Sequence, residues 1–371
     1  MKDLMRTHAS LLIVGVATFV LMGAGQSLFG PALPVYARDF GLSDGQIGLP
    51  VAAFWVGCFL GVGFMYLHGA RIGARHVLAV MALGTLPLTL AGILPRFGWS
   101  ATLAGALVYG AGYGMATAVF NPRVMVAFGD RGPSMLSLLN ATFGIGAIAA
   151  PLLFVLLGSN PGLTFGLVTL AILATLASAG PMRDPARDAT VAITPFRPHW
   201  GILAFGTVAI GLEASFAGLG PTALIRAGVE ETSAATLTSA YFVVFLLARV
   251  VLIFTAHRIA PFALYTLAVA AAAVCALGAV FLSPALFFVA LGVSAGLFFP
   301  GYYVTAAAKM GNDPRVPPTI VASGLVGAIG APLLLAPLMA RMGERGFFWL
   351  VAGITLALLA AALLSARRMR V

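Results

Sequence analysis

From Ser10 to Ala37 no side chain carries a charge at neutral pH, and the pattern recurs: apolar stretches of about 20 residues or more fill the chain, parted by short breaks. Such a stretch, wound as a helix, matches the hydrocarbon core of a bilayer, which is about 30 Å thick. Of the 371 residues 61% are apolar and 9% charged, against roughly 25% charged in a soluble domain, so little remains to build a water-facing surface. The net charge of +10 would point a soluble protein towards nucleic acid. Here it reads as lysine and arginine kept on the cytoplasmic side, and no nucleic-acid partner is expected. Cys58 and Cys275 both lie within apolar runs and say nothing about redox compartment.

The fold class expected is an all-α polytopic membrane protein. Twelve transmembrane helices are placed at about 10–37, 47–68, 77–95, 100–126, 135–157, 162–180, 199–225, 236–256, 262–282, 285–308, 318–340 and 346–365. The basic stretch 1–9 and the long run behind it read as an uncleaved first span. The longest break, PMRDPARDATVAITPFRP at 181–198, is rich in proline and charge and marks a cytoplasmic linker. It separates an N-terminal six-helix bundle (1–180) from a C-terminal one (199–371). With the amino terminus in the cytoplasm, Lys2, Arg6, Arg71, Arg75, Arg131, Arg183, Arg187, Arg197, Arg258, Lys309, Arg315, Arg367, Arg368 and Arg370 lie inside. Only Arg38, Arg96, Arg226, Arg341 and Arg345 lie outside. That bias places both termini in the cytoplasm, with the protein spanning a bacterial-type inner membrane.

The two halves repeat. Sliding the first by 187 positions lays Gln26 on Glu213, Phe29 on Phe216, Pro34 on Pro221, Gly41 on Gly228, Phe54 on Tyr241 and Arg71-Ile72 on Arg258-Ile259. GAIAAPLL from Gly146 recurs as GAIGAPLL from Gly327, an offset of 181, which one shortened loop would produce. Duplicated six-helix units are how many secondary transporters are built.

Twelve spans, a central linker and this repeat resemble the major facilitator superfamily over essentially the whole chain. Its loop signature between the second and third helices, Asp-Arg-x-Gly-x-Arg, stands here as ARIGAR: Arg71, Gly73 and Arg75 keep their places, and Ala70 replaces the acid. In the second half HRIA puts His257 at that acidic position, before Arg258. GYGMATAVFNPRV, NATFGIGAIAAP and the Gly-x-Glu of the seventh helix are similar to the fucose permease branch, although Thr117 stands where fucose permeases carry a carboxylate. The resemblance implies two bundles rocking around a central site, with a small-molecule solute, protons and the lipid bilayer as partners, in a monomer.

Glu213, in GLEASFAGLGP, is the only carboxylate assigned to a span. Counting about 1.5 Å per residue from Trp200 puts it about 20 Å into the core, beyond the midplane towards the outside. An ionised acid there costs on the order of 3 kcal/mol, so it is expected to face a cavity or a partner, or to bind a proton. Structural glue between helices is the alternative. Coupling is energetically sufficient, since one charge crossing 100 mV yields about 2.3 kcal/mol.

Gln26, the repeat mate of Glu213, is the first candidate for hydrogen bonding to solute, from the opposite wall of one cavity. Asn121, in Asn121-Pro122-Arg123, and Asn140 are further candidates. Trp55, Tyr113, Tyr241 and Tyr302 are read as stacking walls, with ordinary packing as the alternative. Arg71, Arg75, Arg123, Arg249, His257 and Arg258 form a set of gating or inner-face charges, and for Arg123 snorkelling to the headgroups is the simpler account. Only two Gln and four Asn occur in the chain, which disfavours a heavily hydroxylated solute and favours a small or amphipathic one. Met22, Met65, Met115, Met125 and Met310 show no ligand spacing, so neither metal nor cofactor is expected. No hydrolase, metalloprotease or P-loop motif occurs, and an enzyme is not expected. The expected function is alternating-access transport of a small organic solute by proton symport. Proton-driven efflux of amphipathic compounds is the alternative, followed by a channel or a metal-ion transporter.

Overall fold

The computed structural model describes residues 7–68, 72–94, 98–179, 196–255, 258–311, 313 and 315–369, the side chains of 130, 133, 134, 137 and 253 excepted. Among the described residues there is no strand. Twelve helices are long and apolar enough to cross a membrane. They are α1 Ala9–Phe40, α2 Leu49–His68, α3 Ala74–Ile93, α4 Gly98–Phe128, α5 Gly132–Leu156, α6 Pro161–Ser178, α7 Trp200–Arg226, α8 Glu231–Thr255, α9 Pro261–Phe281, α10 Pro284–Met310, α11 Val316–Arg341 and α12 Gly346–Met369. Large apolar side chains face outwards along them, with Leu364 86% and Leu156 79% exposed, a surface suited to lipid and costly in water. The protein is a multi-pass membrane protein.

Helix ends follow local chemistry. Asn160 and Ser283 each accept a hydrogen bond from the backbone three residues on, at Leu163 and Leu286, and each is followed by a proline at the first helical position. His199 caps α7 in the same way through Ile202 N. Gly41 closes α1 at φ 61°, the left-handed region that glycine occupies without strain. The largest departure from the expected bounds is at α8, which begins at Glu231 and not near 236. Its first turn is polar, and the Glu230 carboxylate starts it by accepting from Thr232 N and Ser233 N, a signal that apolar periodicity does not carry. Glu231, expected in a loop, therefore opens a helix.

The chain divides into two compact units, one of residues 1–41 and 53–190, the other of residues 42–52 and 191–371. The expected linker, 181–198, falls almost wholly outside the described residues. In the first unit α1 packs on α5, and α3 on α4 and α6; in the second α7 packs on α11, and α9 on α10 and α12. The correspondence extends to single atoms. A Cβ on Gly146 would strike the Val20 carbonyl and the Ala24 nitrogen; one on Gly327 would strike the Thr207 carbonyl and the Gly211 nitrogen. Val20 and Ala24 lie 187 positions before Thr207 and Gly211, and Gly146 lies 181 before Gly327, so both offsets meet in one conserved contact. Likewise Gly110 and Gly114 of α4 seat on the Phe54 and Cys58 carbonyls of α2, and Gly292 and Gly296 of α10 on those of Tyr241 and Phe245 of α8. Small residues four apart allow backbones this close, which is how helices associate where no water drives them together.

Candidate functional site

α7 spans 27 residues, about 40 Å, which exceeds a bilayer core. Glu213 lies equally far from Trp200 and Arg226, at the helix midpoint. Its side chain keeps 23% exposure, and its Oε1 lies 4.0 Å from Nη2 of Arg249, too far for a hydrogen bond. Oε2 is buried and has no hydrogen-bond partner.

Arg249 comes from α8, where Tyr241, Phe245 and Arg249 recur at four-residue spacing and so share one face. The guanidinium lies 4.3 Å above the Phe245 ring, and its Nε donates to the Gly296 carbonyl on α10 at 3.2 Å. Tyr241 is fully buried, stacks on Phe288 at 5.3 Å, and its hydroxyl has no partner although Glu213 and Arg249 both act on it electrostatically. Arg249, expected among the gating or inner-face charges, thus lies beside Glu213. Sequence reasoning missed this pairing and the part of Phe245; the four-residue spacing of Tyr241, Phe245 and Arg249 signals their shared face but not the approach of that face to Glu213. An acid, a cation and a phenol, from α7 and α8 of one unit, leave polar atoms unsatisfied around one another, a state that costs free energy until a proton, water or ligand fills it.

In the first unit, Gln26 is half-buried on α1 and its Oε1 has no partner. Trp55 and Tyr113 come together edge to face at 6.0 Å, both against Phe54, and Tyr113 also meets Phe143 at 6.4 Å. Asn121 leaves Oδ1 buried and without a partner beside Pro122 of α4. Asn140 is exposed, and its Nδ2 donates to Leu136 O of its own helix at 2.8 Å. Tyr302 is fully buried, and its hydroxyl is taken up by Ile320 O at 2.5 Å and Ser323 Oγ at 2.6 Å, a tie between α10 and α11.

Of the other charges, Arg71 and His257 lie outside the described residues. Arg75 and Arg258 are exposed. Arg123 reaches from the end of α4 to donate to the Ile72 carbonyl at 3.2 Å, which bonds it to the segment before α3 instead of leaving it to the headgroups alone. Among the described residues no cluster of His, Cys, Asp and Glu has the makings of a metal site.

The structure is similar to that of a D-xylose–proton symporter, with a TM-score of 0.75 at 14% identity over 95% of this chain and 96% of that one. It is also similar to the nucleoside transporter NupG, with a TM-score of 0.75 at 13% identity over 96% and 99% of the two chains. The fucose–proton symporter FucP of E. coli gives a TM-score of 0.63 at 17% identity over 95% and 98%. In sequence, an uncharacterized MFS-type transporter of Yersinia pestis is 28% identical over 131 residues, which span 35% of this chain and 34% of that protein. The profile of the Major Facilitator Superfamily matches residues 15–316. Twelve helices long and apolar enough to span a membrane, and a family match over most of the chain, make this chain a member of the Major Facilitator Superfamily of transporters.

Proposed function

We propose that the protein is a proton-coupled secondary transporter of a small organic solute, working by alternating access, and that Glu213 is the group that takes up and gives back the proton. The observation that carries this reading is the state of the Glu213 carboxylate: at mid-helix, with one oxygen 4.0 Å from Arg249 and the other buried without a hydrogen bond. Structural glue needs made hydrogen bonds, and Glu213 makes none to a neighbouring helix. An intramembrane acid left this way is a proton or ligand site by default. That similar structures include D-xylose–proton and fucose–proton symporters supports symport over efflux. Gln26, Asn121, Trp55 and Tyr113 in the first unit and Tyr241 in the second are the proposed solute contacts. Asn140 and Tyr302 are weaker members of that set, because their polar atoms already bond within the protein. Arg75, Arg123 and Arg258, with Arg71 and His257, belong to the proposed inner face. The protein is proposed to act as a monomer in the inner membrane, both termini cytoplasmic.

The test uses reconstituted vesicles: metabolites are added, and proton movement and solute accumulation are followed together. Glu213→Gln should abolish uphill accumulation while sparing solute exchange. Undiminished uphill transport by that variant would end the coupling role.

A further inference from the structure

We infer that Arg249 anchors the charged end of the solute, and that the solute is an organic monoanion: one carboxylate on a sparsely hydroxylated, apolar body. This rests on the transport reading of Glu213 and names the solute class for the same site.

The first support is the hydrogen-bonding state of the guanidinium. It offers five N–H donors. Only Nε has an acceptor, Gly296 O, while the terminal nitrogens stop 4.0 Å short of Glu213. Phe245 holds the plane from below at 4.3 Å, and Phe245 in turn packs against Tyr241 and Phe242. A planar cation fixed at one nitrogen and one face, with its fork open, is matched by a carboxylate binding two N–H groups at once.

The second support is charge. With Glu213 ionised, the pair sums to zero. A proton on Glu213 leaves one positive charge in a medium of low polarity, and a monoanion on Arg249 restores zero. Empty and loaded sites are then both neutral, so neither has to carry net charge through the membrane interior as the protein reorients. A neutral solute taken up with one proton leaves the site positive, and a dianion leaves it negative. Among the described residues, no other group near α7 upsets this balance. The charges on helices packed against it sit at their ends: Glu231 on α8, Lys309 on α10, Arg341 on α11, and Arg367 and Arg368 on α12. On α7 itself Arg226 closes the last turn and pairs with Asp44. The uncharged titratable groups are Tyr241 on α8 and Tyr302 and Tyr303 on α10, with Tyr302 bonded to Ser323.

Thermal unfolding of the full chain in detergent tests the inference, with benzoate, 3-phenylpropionate and hexanoate set against their uncharged amides. The carboxylates should raise the unfolding temperature and the amides should not. Because ionised Glu213 competes for Arg249, carboxylate affinity should fall as pH rises through the range in which Glu213 ionises, by at most about tenfold per pH unit, and Glu213→Gln should make it independent of pH. Arg249→Gln should weaken carboxylate binding about 10- to 100-fold, the scale of a lost charged hydrogen bond, and Arg249→Lys should recover part of it. Should Arg249→Gln fail to fold, the pH profile of Glu213→Gln and the lysine variant still decide. Equal shifts by acids and amides, no shift by any of the three acids, or a carboxylate preference that survives in Arg249→Gln would each overturn the inference. The two readings fail separately. Loss of uphill transport in Glu213→Gln without carboxylate preference sinks the anion alone, and carboxylate preference with intact uphill transport sinks the proton role alone.

Discussion

The carboxylate of Glu230 accepts from Ser233 N and Ser233 Oγ at 2.9 Å each, from Thr232 N at 3.2 Å, and from the Thr232 hydroxyl. Those bonds favour the charged form, so its pKa falls from 4.5 to about 2, with the Thr232 hydroxyl the largest cause. The folded value lies below the unfolded one. The cap's contribution is therefore complete above about pH 4.5 and disappears as pH falls towards about 2. Glu230→Gln should lower the unfolding temperature at neutral pH, and the gap from the parent protein should close as the buffer is taken from about pH 5 to pH 2; a constant gap would show that the charge does not hold the helix start. Asp313 is held down to about 2 by Arg315, which grips it with Nε and Nη2 at 2.9 Å and with its backbone N–H at 2.8 Å. At this scale Glu213 was legible in the sequence, because a single acid in an apolar run stands out without any knowledge of contacts. Arg249 as its neighbour was not. That contact joins two helices, and periodicity within one helix fixes only the face on which a residue lies.

Between helices, the spacing of glycines decides how near two backbones come. On α11, Gly327 abuts the Thr207 carbonyl, whereas a Cβ on Gly330, three residues on, would meet nothing within 4 Å. Gly327→Leu should cost about 1–3 kcal/mol and lower the unfolding temperature of the detergent-solubilised protein, since the added volume forces α7 and α11 apart. Its counterpart Gly146→Leu should behave alike, and Gly330→Leu should be nearly silent. Equal losses at Gly327 and Gly330 would mean that added side-chain volume anywhere on α11, and not close approach to α7, sets the cost. The repeat offsets were visible in the sequence because both copies keep these glycines and prolines. Which glycines were contact points was not visible, as glycine also ends helices and fills turns.

For the whole molecule, the arginine and lysine bias predicts which loops face the cytoplasm. On a background lacking both native cysteines (Cys58→Ala, Cys275→Ala), Ser43→Cys and Glu344→Cys should react with an impermeant maleimide in intact cells. Asp188→Cys should react only after the membrane is opened, and its labelling from outside would reverse the topology. Number, order and type of the helices were determined by the sequence alone, because burial in lipid imposes a length and a polarity on each span that no neighbour is needed to enforce. The duplication was likewise written in matched residues. What the tertiary structure decided is which polar groups meet. It set Arg249 against Glu213 and Phe245, tied the Tyr302 hydroxyl to α11, and bonded Arg123 to the Ile72 carbonyl. Such pairings depend on the rotation and closeness of helices remote in the chain, and these are set by side-chain packing across the interface.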